Sequence, residues 1–346
     1  MTHGRTAADH ELDRVRALVD DRLGAFFDEK RAEFIAISPD SVELVDEVRA
    51  LTLRGGKRLR PLVLYGAMRA VGGDPARAGV ADAGAALELL QTYLLAHDDW
   101  MDGDLERRGG PAVHAAFRAR HRAEHLADCL GLLAGDLAST YAWELLLGVP
   151  FPAGQRDAAL ETFRRLQVEV YAGQHLDLTM NTDVVRMHRL KTTSYTVLGP
   201  AQLGACLGGA SDAQRAALAA WAEPIGEAFQ VRDDLLGTFG DAASTGKPGE
   251  DLRHGKRTAL IAELHRSAGP RDRAAVERVL GRADATEAEV ADALRALVDS
   301  GVRARIEARV EARFQAAARA LAEAPFDAPG RALLERLGVL LARRGR

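Results

Sequence analysis

Three aspartates crowd into the stretch Asp98-Asp99-Trp100-Met101-Asp102. On a helix, Asp98 and Asp102 lie one turn apart on the same face, with Asp99 adjacent. Carboxylates packed at a helix C-terminal end repel one another and oppose the helix dipole, and bound cations would relieve both costs. Hard oxygen donors suit magnesium, which takes one or two carboxylates and leaves its other positions to water and phosphate oxygens. The bland alternative is a solvated acidic helix end. The apolar helix face leading into the cluster favours a pocket instead. A second pair, Asp233-Asp234, ends the run Phe229-Gln230-Val231-Arg232. On a helix, Gln230 shares a face with Asp233 or Asp234, and this pair could hold another metal opposite the first.

Basic residues form a complementary set. Arg107-Arg108 precede a Gly109-Gly110-Pro111 turn, and their guanidinium forks can clamp phosphate oxygens. Gly55-Gly56-Lys57-Arg58-Leu59-Arg60-Pro61 places Lys57 and Arg60 at i, i+3, an anion site near a helix start. Lys247 and Lys256 sit in a long Gly- and Asp-rich loop, with Asp251 between them. Lys191-Thr192 could present a charge, a hydroxyl and a loosened carbonyl to a pocket. Taken singly, each has an ordinary reading as a solvated surface or a basic helix start. Two acidic and three basic clusters together imply a polyanion held by metals on one side and cations on the other, which is diphosphate chemistry.

The elements that must position these groups are helical. Apolar periodicity of helix type runs along almost the whole chain, and strand alternation is nearly absent. Leu12, Val15, Leu18, Val19, Leu23 and Phe26 form one stripe. Ser38-Pro39-Asp40 signals a helix start, Gly55-Gly56 break that helix, and another restarts near Lys57 with Pro61 in its first turn. Asp74-Pro75 opens a helix over about 77–101. Further helices are expected near 123–147, 155–180, 183–207, 212–238, 257–267 and 286–346. The loop over 241–256 is long enough to suggest a lid or binding loop. The expected architecture is all-α: a single-domain helical bundle over 1–346 with its active site in a central cavity.

Composition narrows the classes. The net charge is −4 over 346 residues, without the basic excess of nucleic-acid-binding domains. No stretch reaches the run of about 18 apolar residues that spans a membrane; the most apolar, from Ala83 to His97, is interrupted by Glu88. The first ten residues lack an apolar signal core. Cys129 and Cys206, far apart, read as inert buried thiols in a reducing cytoplasm. His97 borders the first acidic cluster and reads as structural, and no Ser-His or Cys-His nucleophile stands out.

The set resembles the trans-isoprenyl diphosphate synthases, or polyprenyl synthetases. Asp98-Asp99-Trp100-Met101-Asp102 with Arg107, Arg108 and Gly109 resembles the family's first aspartate-rich motif. Gly55-Gly56-Lys57 with Arg60-Pro61, Lys191-Thr192, Phe229-Gln230 with Asp233-Asp234, Gly246-Lys247 and Gly255-Lys256 follow in family order, covering about 55–258. The resemblance implies a homodimer. It also implies that Asp98, Asp102 and Asp233 bind three magnesium ions with an allylic diphosphate (dimethylallyl, geranyl or farnesyl), assisted by Asp99 and Asp234. Arg107, Lys191, Lys247 and Lys256 would grip that diphosphate. Lys57, Arg60, Gln91 and Arg108 would bind isopentenyl diphosphate. Thr192, Gln230 and the Lys191 carbonyl would face the developing allylic cation.

One position departs from the pattern. The family's second motif usually ends in a third aspartate, and here that position is Gly237. Weakened outer support with retained activity is expected, with Asp241 as a partial substitute and only a modest effect from Gly237→Asp. For product length, Tyr93 and Leu94 stand five and four residues before the first motif, and Leu90 and Leu87 lie further turns below. In the family, aromatics at both positions resemble a floor at fifteen carbons. With only Tyr93 aromatic, the expectation is geranylgeranyl diphosphate, with farnesyl diphosphate as the alternative. A class I terpene cyclase, or a non-catalytic subunit of a prenyl synthase, fits less well. The first holds no second diphosphate, and the second has no need of both acidic clusters.

Overall fold

The computed structural model describes residues 6–240 and 248–343. Within them the fold is all-α apart from one short hairpin. Helix α1 (Ala7–Ile37) opens on a capping box: Thr6 accepts from the Asp9 amide while the Asp9 carboxylate accepts from the Thr6 amide. Leu12, Val15, Val19, Leu23 and Phe26 are buried along it, but Leu18, included in that stripe from spacing, is 45% exposed. The others already fill one face at three- and four-residue steps, which leaves Leu18 at its edge.

Ser38 makes no side-chain cap. Pro39–Ser41 form a 3₁₀ turn instead, and α2 (Val42–Leu53) starts after it. Helix α3 (Leu59–Ala70) begins past Lys57, because Arg58 adopts a left-handed φ of 51°. The Asp74-Pro75 signal closes a turn, with Asp74 accepting from the Ala76 amide at 2.9 Å, and α4 (Val80–Asp102) starts only after Gly79. Strands β1 (Glu106–Arg107) and β2 (Gly110–Pro111) then pair antiparallel.

Helices α5 (Val113–Arg120), α6 (Glu124–Leu147) and α7 (Ala153–Leu178) follow. Short α8 (Val184–His188) runs into a π-helical segment, Arg189–Leu198, and then into α9 (Gly199–Gly208). Helix α10 (Asp212–Phe239) starts at a Ser211–Gln214 capping box. Beyond it lie α11 (Glu250–Arg253), α12 (Ala259–Ser267) and α13 (Pro270–Glu277). The single helix expected over 286–346 is three: α14 (Glu287–Asp299), α15 (Val302–Glu323) and α16 (Ala328–Ala342). Gly301, at φ 75°, breaks the first junction, and Pro325 with the Asp327 cap makes the second.

Helix α4 packs along α6, α3 along α9, and α10 along α15. Helix α10 contributes to two apolar clusters: Trp221 and Ile225 to the larger one, Val231 and Leu235 to the one beneath α12–α15. Its C-terminal half therefore faces α4 across a central cavity of about 1070 Å³. Cys206 is buried, but Cys129 is only half-buried, 3.7 Å from His125 Nε2. Among the described residues, no helix is long and apolar enough to cross a membrane.

Candidate active site

Helix α4 turns Gln91, Leu95, Asp98 and Asp102 towards the cavity, a face stepped by three or four residues. Asp98 Oδ1 accepts from Gln174 Nε2 at 2.9 Å and from Lys191 Nζ at 3.2 Å, and Lys191 also donates to Asp177 at 2.6 Å. Burial alone would depress the Lys191 ammonium. The neighbouring Asp98 and Asp177 carboxylates outweigh burial and hold it above the usual lysine range. Burial and the neighbouring Asp98 carboxylate both raise Asp102.

Asp99 does not join this wall. It is fully buried and accepts from Arg107 Nε at 2.8 Å, while its second oxygen has no partner. Burial pushes its carboxyl up to about 6 against the pull of Arg107. Asp99 therefore positions Arg107 rather than facing a metal, because the helix rotation that exposes Asp98 and Asp102 turns it inward. Arg107 also reaches Asp104 at 3.1 Å, on the cavity wall.

Across the cavity, Asp233 and Asp234 lie on α10. Asp234 is committed: Oδ1 accepts from Gln230 at 2.8 Å, and Oδ2 from the Ala259 amide at 2.7 Å. It is thus a support for Gln230 and the start of α12, leaving Asp233 as the ligand candidate of that pair. A Cβ at Gly237 would stand 2.1 Å from Asp251 Oδ2. The Asp251 carboxylate, from α11, occupies the space beside Gly237, and burial raises it to about 6 against the pull of Lys256. Asp241, proposed from sequence as the substitute, lies outside the described residues, as do Gly246 and Lys247. A side chain added at position 237 meets the end of the Asp251 side chain and no main chain, so a modest effect remains the expected outcome of Gly237→Asp. Melting and rate measurements would check this, and a large loss that adding Asp251→Gly reverses would show that Asp251 does not yield.

The basic wall is built by backbone geometry. Arg108 and Gly109 have φ of 55° and 73°, the two-residue turn that matches strand twist in a hairpin. Arg54 spans the hairpin, donating to Pro111 O at 2.7 Å, and Arg108 donates to Leu51 O at 3.3 Å. Arg58, buried, bridges Asp20 at 2.7 Å and Glu88 at 2.8 Å and so fixes the Gly55–Lys57 turn. Arg60 and Lys57 line the cavity with Gln91, whose buried Oε1 has no partner. Burial lowers the Arg108 guanidinium; Glu88 opposes this, and the charges of Arg58, Arg60 and Arg107 add to it. This much like charge calls for an anion.

Lys256 closes the cavity on the α11–α12 side. Burial lowers it, but Asp251 first, then Asp104, Asp102 and Asp98, raise it above the usual lysine range. Thr192 also lines the cavity. Sequence reasoning missed Gln174, Asp177, Arg54 and the Arg58–Glu88 pair. Gln174 and Asp177 do share one helix face at i, i+3, the available signal. His97 is structural as expected, with Nε2 3.2 Å from Leu132 O. Of the chain-length candidates, Leu87 and Leu90 are fully buried. Tyr93 packs edge-on against His97 and Tyr171, and Leu94 packs into the apolar core. The α4 leucine on the cavity wall is Leu95.

The donor set fits a divalent cation of the hard class. Asp98, Asp102 and Asp233 offer only carboxylate oxygens, and burial raises three of their acidic neighbours, Asp99, Asp234 and Asp251. Among the described residues no three acidic, His or Cys side chains converge into a metal cage of their own. Magnesium takes one or two carboxylates and fills the rest of its shell with water and phosphate oxygens.

Residues 42–297 match the model of the polyprenyl synthetase family. The chain is 34% identical to a short chain isoprenyl diphosphate synthase of Methanothermobacter thermautotrophicus, over 77% of this chain and 80% of that one. It is also 34% identical to a geranylgeranyl diphosphate synthase of Methanosarcina mazei, over 75% and 77%. A solved geranylgeranyl pyrophosphate synthase of Corynebacterium glutamicum, complexed with isoprenyl diphosphate and magnesium, superposes with a TM-score of 0.90. That match is 33% identical and covers 96% of this chain and 99% of the other.

Proposed function

The chain belongs to the polyprenyl synthetase family, and on that premise we propose that it is a trans-prenyltransferase. It condenses isopentenyl diphosphate with dimethylallyl, geranyl and farnesyl diphosphates to geranylgeranyl diphosphate. One observation carries this reading: a single cavity with carboxylates on α4 and α10 and a separate arginine cluster beside Lys57. A cavity with two such walls accommodates two diphosphates in different ways.

Asp98, Asp102 and Asp233 would hold three magnesium ions. When bound, these supply positive charge to the allylic diphosphate oxygens and stabilise the departing pyrophosphate. Lys191, Lys256 and Arg107 orient that diphosphate, each already held by carboxylates that keep it cationic. Lys57, Arg60, Arg108 and Gln91 seat isopentenyl diphosphate. Gln230, aimed by Asp234, and Thr192 offer neutral dipoles to the allylic cation, which favours it without trapping it. The isopentenyl double bond forms the new carbon–carbon bond, and a proton leaves to pyrophosphate.

The protein also acts as a homodimer in this reading. Leu126, Leu133 and Leu147 follow one another on α6 at multiples of seven residues and are 47%, 52% and 55% exposed. This apolar stripe suits a self-complementary interface, and light scattering would check it.

Incubation of purified protein with magnesium, isopentenyl diphosphate and each allylic primer tests the activity. Chromatography of the dephosphorylated products should show geranylgeraniol as the main alcohol. Farnesol would shorten the product assignment, a cyclic hydrocarbon would replace the reading with terpene cyclisation, and no product would remove it.

A further inference from the structure

Arg60 is an unusual place to find a charge: only 9% exposed, with Nε buried and unpartnered. Two neighbours, close in sequence to each other but far from Arg60, hold it. Its guanidinium carbon lies 4.2 Å from the centroid of the Tyr195 ring, and Nη2 donates to Thr196 Oγ1 at 3.0 Å. Thr196 is fully buried, so its hydroxyl has little solvent competition. Both residues belong to the π-helical segment that carries Lys191 and Thr192. π-Helical geometry is rare and concentrates at functional sites.

We infer that Tyr195 and Thr196 are positioning residues for Arg60. The π-helical segment thereby sets the grip on the isopentenyl diphosphate while its other end holds the allylic side. This rests on the condensation proposed above. The physical basis is specific. A long, flexible arginine loses rotamer freedom on seating a phosphate, and an aromatic face with one fixed acceptor removes that freedom beforehand. The ring, not the phenol hydroxyl, does this, because the attraction comes from the aromatic quadrupole.

The test is a set of variants, Tyr195→Leu, Tyr195→Phe, Thr196→Val and Thr196→Ser, read two ways. Calorimetry follows binding of isopentenyl diphosphate in EDTA, and steady-state kinetics with magnesium varies each substrate. Tyr195→Leu should weaken isopentenyl diphosphate binding and raise its KM roughly tenfold, with the allylic KM within about twofold. Tyr195→Phe should match the wild type. Thr196→Val should weaken binding several-fold while Thr196→Ser retains it, so a poorly folded leucine variant would not end the test. Equal damage from Phe and Leu, equal rises in both KM values, or unchanged binding in Tyr195→Leu and Thr196→Val would overturn the inference. Condensation without these effects defeats the inference alone, and these binding effects without condensation defeat the activity alone.

Discussion

Asp98→Asn lowers turnover roughly 10²- to 10³-fold, and EDTA abolishes turnover in the wild type. Asp98 stands at the centre of the acidic wall, with Gln174 and Lys191 both donating to its Oδ1. The neutral amide keeps the shape but removes the charge that a divalent ion needs. It also loosens Lys191, which keeps Asp177 as its remaining carboxylate contact. Adding magnesium should partly rescue the variant if the deficit is affinity. Turnover in metal-free buffer equal to that with magnesium would sink the mechanism. Asp99→Asn should behave differently: its neighbour is Arg107, so weakened allylic diphosphate binding is expected, with a smaller change in metal demand.

Gly173→Ala carries the second large effect. A Cβ there would stand 2.2 Å from the Lys191 backbone nitrogen and 2.6 Å from its Cα. Both obstacles are main chain, so no side-chain rotation relieves them. Helix α7 and the π-helical segment must separate, at a cost of about 1–3 kcal/mol. Lys191 then moves away from Asp98, and a displacement near 1 Å of a positioned group can cost about 10²-fold in rate. Thermal melting and saturating kinetics together should show both losses. A variant with a lower melting temperature but unchanged kcat would mean that the close approach serves packing only.

The acidic and basic clusters were legible because their residue types and order are unusual in a helical chain. Which member faces the cavity was less legible. Asp98 and Asp99 are adjacent; the rotation of α4 turns Asp99 inward, and the return of the β1–β2 hairpin brings Arg107 to it. The hairpin itself was hidden because arginine, not asparagine, precedes Gly109 in its turn. Gln174 and Asp177 went unnoticed because their importance lies in Lys191, distant in sequence. Asp251 was legible as an acid between two lysines, but that its carboxylate lies beside Gly237 depends on how α11 packs against α10. Helix count failed at the C-terminal end, where Gly301 and Pro325 were available as signals but the surrounding periodicity was continuous.

The π-helical segment has one further consequence. At its end the Gly199 amide bonds to Ser194 O, five residues back, whereas an α-helix closes over four. The wider winding accommodates extra length that an α-helical path would not. Deleting a residue between Lys191 and Tyr195 would let the chain snap back to α-helical phase. Everything on one side of the cut would then turn by about 100° and slide by about 1.5 Å relative to the other. Lys191 and Arg60's seat on Tyr195 could not both survive that rotation. Outside Lys191, Thr192, Tyr195 and Thr196, the segment should therefore be more sensitive to a change in length than to an exchange of side chain.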